Sequence, residues 1–312
     1  MCGENQTVVT EFLLTGFQNT HKIKIGIFIL ILLLHICAVI GNLLIVTLVS
    51  SSYILHRPMY LFISNLAMAD LITSTSIVPN MLCIVWMEGH TITINGCITQ
   101  YFFVFSSTYA QCCLLMMMSF DRYLAICLPL RYSSIMKVQF SLRLSLWSWI
   151  LGIILIKAEV IIICQLQFCT SNIIDHFFCD FAPLLALSSS GVSTLVFLDF
   201  SFNIFVIFIP FVCITLSYIC IFFVIFNISS LSGKKKAFST CSSHLIVVCT
   251  YYGSLIAVYM SPSHEGSMHE NKFRALIFLL LTPFTNPIIY SLRNKEIKDT
   301  LLNFFTKRQS KH

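Results

Sequence analysis

The sequence predicts an all-α membrane protein: a bundle of seven transmembrane helices with its N-terminus outside the cell and its C-terminus in the cytoplasm. Three observations predict it. Hydrophobic residues make up 57% of the 312 and charged residues only 10%, against about 25% charged in a soluble domain. Apolar runs long enough to cross a bilayer, which takes about 20 residues, fall at 25–49, 59–85, 98–121, 142–163, 195–226, 238–260 and 273–292. Lys22, Lys24, Lys272 and Arg274 stand on one side of these runs and Lys157 inside one. The rest of the 19 Lys and Arg cluster at 50–58, 122–143, 227–237 and the tail. Basic residues accumulate on the cytoplasmic side, which sets the orientation, so the net charge of +6 reflects topology and not nucleic-acid binding. The runs lack the apolar/polar alternation of a lipid-facing barrel, and backbone groups in hydrocarbon must bond within their own segment, so the spans are helices.

Three regions follow: an extracellular segment over 1–24, the seven-span domain over 25–292 and a cytoplasmic tail over 293–312. The first segment carries the glycosylation sequon Asn5-Gln6-Thr7 on the outer side. It has no basic start followed by an apolar core, so the first span is expected to act as signal anchor. Asn227-Ile228-Ser229 also fits the sequon but lies on the cytoplasmic side and should stay unmodified. Gly41-Asn42 marks the first span, and Leu55-His56-Arg57-Pro58-Met59-Tyr60 leads into the second. The second span holds Asp70, read here as the lone buried acid; an ionisable residue costs at least about 2.5 kcal/mol to insert and so faces protein or water. It is either a hydrogen-bonded core acid or part of a polar relay.

The third span ends on Met118-Ser119-Phe120-Asp121-Arg122-Tyr123-Leu124-Ala125-Ile126-Cys127, a charged pair at the membrane boundary. On it Val104, Phe105, Thr108, Tyr109 and Cys112 recur at three- and four-residue spacing and form one stripe. The fourth carries Trp149 and Lys157, the latter read as snorkelling to the interface or pairing with Asp199 of the fifth. The fifth ends on Ser217-Tyr218; counting back brings Phe202, Asn203 and Val206 to the facing side. The sixth opens on Lys236-Ala237-Phe238-Ser239-Thr240-Cys241-Ser242-Ser243-His244 and offers Leu255, Ile256 and Tyr259; the seventh offers Leu276 and Leu279. It closes on Asn286-Pro287-Ile288-Ile289-Tyr290-Ser291-Leu292-Arg293-Asn294, with Pro283 and Pro287 as bending points. Such stripes pack helices as well as lining cavities. A mostly apolar cavity with a few hydroxyls and amides fits a small, weakly polar ligand, with Thr108, Tyr109, Asn203 and Tyr259 as hydrogen-bonding partners.

Taken together, the third-span ending, the Leu-His-Arg-Pro-Met-Tyr entry, the sixth-span opening and the seventh-span close resemble the odorant receptors, of the tetrapod type (class II), within the rhodopsin-like G-protein-coupled receptors. The resemblance covers essentially the whole chain. It implies a volatile ligand in the outer half of the bundle, coupling to a stimulatory olfactory-type heterotrimeric G protein that raises cyclic AMP, and residence in the plasma membrane of olfactory cilia. Membrane lipid is the other partner. It also implies a short amphipathic eighth helix, no enzymatic activity and no cofactor. Asp121 would restrain Arg122 at rest, and Arg122, Tyr123, Tyr218, Tyr290, Asn286 and Pro287 would take part in activation. A relay would join Asp70, Asn42 and Asn286. The sixth span lacks the Trp and Pro that many relatives carry, which leaves Tyr252 as a candidate trigger.

The resemblance further implies a Cys97–Cys179 disulfide at the outer face. Cys169 lacks its expected partner, since Leu187-Ser188-Ser189 stands where a cysteine is usual; it is either free or paired elsewhere. Many related receptors hold sodium at the counterpart of Asp70. Here Gln111 replaces the usual second acid, which weakens a cation site. Val104 stands where aminergic receptors place their amine-binding acid, which argues against a biogenic-amine receptor. The alternative within the same fold is a receptor for a non-odorant small molecule outside the olfactory epithelium. A transporter or channel would show internal repeats or broken helices around midplane charges, and an enzyme a catalytic pair or metal cluster; the sequence shows none of these.

Overall fold

The computed structural model describes residues 9–16, 23–169, 171–189, 192–259 and 268–309. Among them are seven helices long and apolar enough to cross a membrane. In chain order these are α1 (Lys24–Ser51), α2 (Pro58–Met87), α3 (Ile94–Cys127), α5 (Val138–Ile163), the pair α7 (Ser193–Asn203) and α8 (Ile209–Asn227) forming one span, α9 (Leu231–Tyr259) and α10 (Met268–Arg293). Short helices α4 (Pro129–Ile135) and α6 (Phe181–Leu187) lie in the loops after the third and fourth spans, and α11 (Lys295–Gln309) is the expected eighth helix. Its first charged residues, Lys295, Glu296, Lys298 and Asp299, and its apolar Ile297 and Leu301 fall on different faces, and Ile297 is buried.

Local chemistry explains the helix boundaries. Pro58 and Pro129 start α2 and α4, where the missing N–H would have no helical partner. The Thr93 hydroxyl caps α3 by accepting from Gly96 N–H at 3.1 Å. Between α7 and α8 the chain widens into a π turn at Ile204–Phe208, closed by Ile209 N–H to Ile204 C=O. Pro210 follows immediately; it has no N–H to offer the Val206 carbonyl, so the ordinary helical pattern fails there.

The core sits around α3, the most enclosed span, which packs against α2, α5, α8 and α9. Two glycines permit close crossings. A Cβ at Gly152 would lie 2.6 Å from the Ser106 carbonyl oxygen where α5 meets α3, and one at Gly41 2.9 Å from the Pro287 ring where α1 meets α10. Trp149 joins α5 to α2 by donating to Asn65 Oδ1 at 3.1 Å.

The outer face departs from an all-helical expectation. Residues Glu11–Leu14 form β1, which pairs antiparallel with β2 (His90–Thr93) and parallel with β3 (Ile173–Ile174), giving the order β2-β1-β3. Phe12 and Leu14 alternate inward and are fully buried. Beyond the strand, Thr15 donates to Asp175 Oδ1 at 2.7 Å, and the buried Lys272 of α10 bonds Asp175 and, at 2.9 Å, the Gly16 carbonyl. The N-terminal segment is thus sewn into a cap. At the other end Arg57 pairs with Glu296 at 2.8 Å and Tyr60 donates to Asn294 and Glu296, fixing α11 beneath α2.

Candidate functional site: a capped pocket and a cytoplasmic ion pair

A narrow cavity lies under the cap, lined by Val104, Phe105 and Thr108 of α3, Phe178 and Asp180 of the outer loop, Val258 of α9, and Ala275, Phe278 and Leu279 of α10. The α3 stripe therefore faces this space, because residues three and four apart share one side of a helix. The loop is drawn over it by the Cys97–Cys179 disulfide, whose Cα atoms are 5.5 Å apart. Gln100 reinforces the tether, accepting from Cys179 N–H at 3.0 Å while donating to the Ser76 carbonyl at 2.8 Å. Cys169 is also disulfide-bonded, which removes the free-thiol alternative.

The other expected pocket residues fall around the cavity or away from it. Tyr109 donates to Asn203 Oδ1 at 3.3 Å, linking α3 to α7. Cys112 meets the Tyr251 hydroxyl at 3.5 Å, and that hydroxyl also donates to the Thr108 carbonyl. Val206 and Leu255 are buried core residues, while Phe202 and Leu276 pack against the core part-exposed. Ile256 is a correction: it is 42% exposed on the outer surface of α9. Val258, two residues on and about 200° around the helix, faces the cavity instead. The Tyr259 side chain and Asn5 lie outside the described residues.

Two buried carboxylates organise the bundle below. Asp70 receives Gln111 Nε2 at 2.9 Å on one oxygen and Asn286 Nδ2 at 2.8 Å on the other. Asn42 does not touch Asp70: its amide donates to the Pro283 carbonyl at 2.9 Å. That carbonyl is free because Pro287, four residues on, has no N–H. The expected three-way relay is thus one direct pair plus a separate clasp between α1 and α10. Each Asp70 oxygen accepts from an amide donor, and Gln111 stands where a second carboxylate would be needed to balance a cation's charge, so the donor set fits a cation poorly. No cluster of three His, Cys, Asp or Glu able to hold a metal occurs among the described residues.

At the cytoplasmic end Asp121 is fully buried and ion-paired with Arg122, whose Nε donates at 2.9 Å. Its second oxygen accepts from Tyr132 of α4 at 2.9 Å. Burial and the Asp121 charge push the Tyr132 phenol upward, so it stays a donor. Tyr218 of α8 hydrogen-bonds His244 Nδ1 of α9 at 2.7 Å, and Tyr290 is buried beside them in the lower core. Tyr123 is part-exposed next to Arg122, and Tyr252 is buried between Tyr251 and Phe211.

The chain matches the family profile described as "Olfactory receptor" over residues 31–308. It is similar to olfactory receptor 1S2 of Homo sapiens, 39% identical over 98% of this chain and 94% of that receptor. It is also similar to olfactory receptor 11H6 of Homo sapiens, 41% identical over 96% and 91%, and to olfactory receptor 287 of Rattus norvegicus, 40% identical over 96% of each. The chain belongs to the olfactory receptor family. It is therefore a multi-pass G-protein-coupled receptor, not an enzyme, and its family implies a small-molecule ligand and a heterotrimeric G protein.

In this olfactory receptor four residues mattered more than the sequence suggested. Tyr132 and Tyr251 are ordinary tyrosines in sequence, and only the fold brings their hydroxyls to Asp121 and Thr108. Asp180, next to the expected disulfide cysteine Cys179, proves to be a pocket wall. Glu159 is the fourth: fully buried, with Oε2 accepting from Tyr101 at 2.7 Å, it corrects the reading of Asp70 as the lone buried acid. A charge inside the fourth span was the available signal. Lys157 makes no ion pair with Asp199; it is exposed on α5, as a snorkelling lysine would be.

Proposed function

We propose that this receptor binds a small volatile organic molecule in the capped cavity and, through the cytoplasmic end of the bundle, activates a stimulatory olfactory-type G protein, raising cyclic AMP in the membrane of olfactory cilia. The observation that carries the reading is the cavity between α3, α9 and α10, mostly apolar, closed by its own loop and rimmed by a few polar groups. A ligand there touches α9 through Val258 and α10 through Phe278 and Leu279; lower down, α9 brings His244 to Tyr218 and Cys241 close to Arg122, and α10 brings Tyr290 close to Tyr218. Binding shifts the population toward an arrangement that favours the ligand-contacting positions of α9 and α10. Released from Asp121, Arg122 becomes available to the G protein. Tyr218, Tyr252, Asn286, Pro287 and Tyr290 are the side chains that repack, and Asn5 is the glycosylation site.

Cyclic AMP accumulation tests this in cells carrying the receptor and an olfactory-type G protein, screened with esters, ketones, alcohols, acids and amines. A dose-dependent response that Arg122→Ala abolishes at equal surface expression is expected. A full response in Arg122→Ala would refute the coupling assignment.

A further inference from the structure

One side of the pocket is more acidic than its apolar lining suggests. Asp180 lines the cavity, Asp199 of α7 lies close enough to act electrostatically on it, and Asp199 also acts on Glu159 of α5. Each acid has its own neighbour: Tyr101 donates to Glu159, Asn203 bonds both Tyr109 and Asp199, and Asp180 Oδ1 accepts from Phe181 N–H at 2.8 Å. Among the described residues none of the three acids forms an ion pair. Lys157, on the same helix as Glu159, is turned to the outside. Glu159 Oε1 is fully enclosed and has no hydrogen-bond partner. A buried polar atom without a partner calls for an explanation, and buried negative charge without a counter-ion is costly.

We propose that the pocket takes a cationic ligand, a small organic amine whose ammonium is received by Asp180, with Asp199 supplying negative potential behind it. The inference rests on the odorant-binding reading and names the ligand class. Val104 leaves α3 without an acid, but the charge an ammonium needs is supplied here by the outer loop and α7. An ammonium has three donors for carboxylate oxygens, and such charge-assisted bonds are about twice as strong as neutral ones. The apolar walls at Val104, Phe105, Phe278 and Leu279 suit the hydrocarbon part. At neutral pH the Asp180 carboxyl, pushed up to about 6 by burial and by Asp199, is still ionised.

The test is ligand-dependent thermal stabilisation of the purified full-length receptor in lipid nanodiscs at pH 7.4, with short alkyl and aryl amines set against alcohols of the same carbon skeleton and a panel of neutral volatiles. The amines should act at concentrations at least about tenfold below their alcohols, the change a lost charge partner produces. Asp180→Asn should erase that advantage, bringing each amine to the same concentration range as its alcohol, since Asn loses the charge but can still accept from Phe181 N–H, as Asp180 Oδ1 does at 2.8 Å. Asp199→Asn, away from the cap, should reduce it. Equal potency of amines and alcohols, or an amine advantage that survives both substitutions, overturns the proposal. If neutral volatiles bind and amines gain nothing, the amine inference alone falls; if no volatile of any class binds, the odorant reading falls with it.

Discussion

At Asp70 a single residue type decides the chemistry. Gln111 presents an amide donor where a second carboxylate would help hold a cation, and with Asn286 it satisfies both Asp70 oxygens. Agonist potency should therefore be unchanged when sodium chloride is replaced by choline chloride, whereas Gln111→Glu should make it sodium-sensitive. A sodium-sensitive wild type would contradict this arrangement. His176 gives a pH dependence at the outer face. Burial, with Lys272 adding to it, lowers its imidazole to about 4, below the usual 6.5. The unfolded loop takes up a proton before the folded one, so the stability of the cap is full above about 6.5 and is lost as pH falls toward 4. Protection factors over residues 172–180, taken relative to the intrinsic exchange rate at each pH, should fall across that window, and His176→Gln should flatten the response.

At the scale of elements, close helix contact is where substitution costs most. Gly152→Ala places a methyl 2.6 Å from a backbone oxygen of α3 that cannot swing aside, so α5 must shift, at about 1–3 kcal/mol. The melting temperature of the purified receptor should fall, and an unchanged value would show that the crossing yields freely. The positions of the spans were legible because a bilayer dictates length and apolarity, and the α3 stripe at Val104, Phe105 and Thr108 was legible because spacing fixes one face of a helix. The rotation of α9 was not. Nothing in the order Leu255, Ile256, Ala257, Val258 says which of them packing against α3 and α10 turns inward, and Ile256 ends outside. Glu159 could have been noticed by the argument applied to Asp70. Strand β1 could not, since four residues carry too little pattern without the partners that lie far along the chain.

The whole molecule joins a fixed outer cap to a cytoplasmic end held by hydrogen bonds and an ion pair. Lys272 concentrates the outer connections, tying α10 to the N-terminal segment and to Asp175 of the loop. Lys272→Met keeps the stem but deletes both bonds, each to or from a charged group and worth about 1.5–3 kcal/mol when buried, less here because Asp175 is part-exposed. Ligand dissociation, followed in nanodiscs by a fluorescent competitor, should quicken in the variant. A rate equal to wild type would mean the cap does not control exit.

The pairing of β1 with β3 also has a temporal side. Thr15 and Asp175 are 160 positions apart in sequence, and synthesis runs from the N-terminus, so the first strand reaches the lumen of the secretory pathway long before its parallel partner exists. During that interval Phe12 and Leu14, fully covered in the finished receptor, have no completed sheet to shelter them. Their shelter waits on the fourth span and the loop beyond it, so a chain cut short before β3 leaves both side chains uncovered.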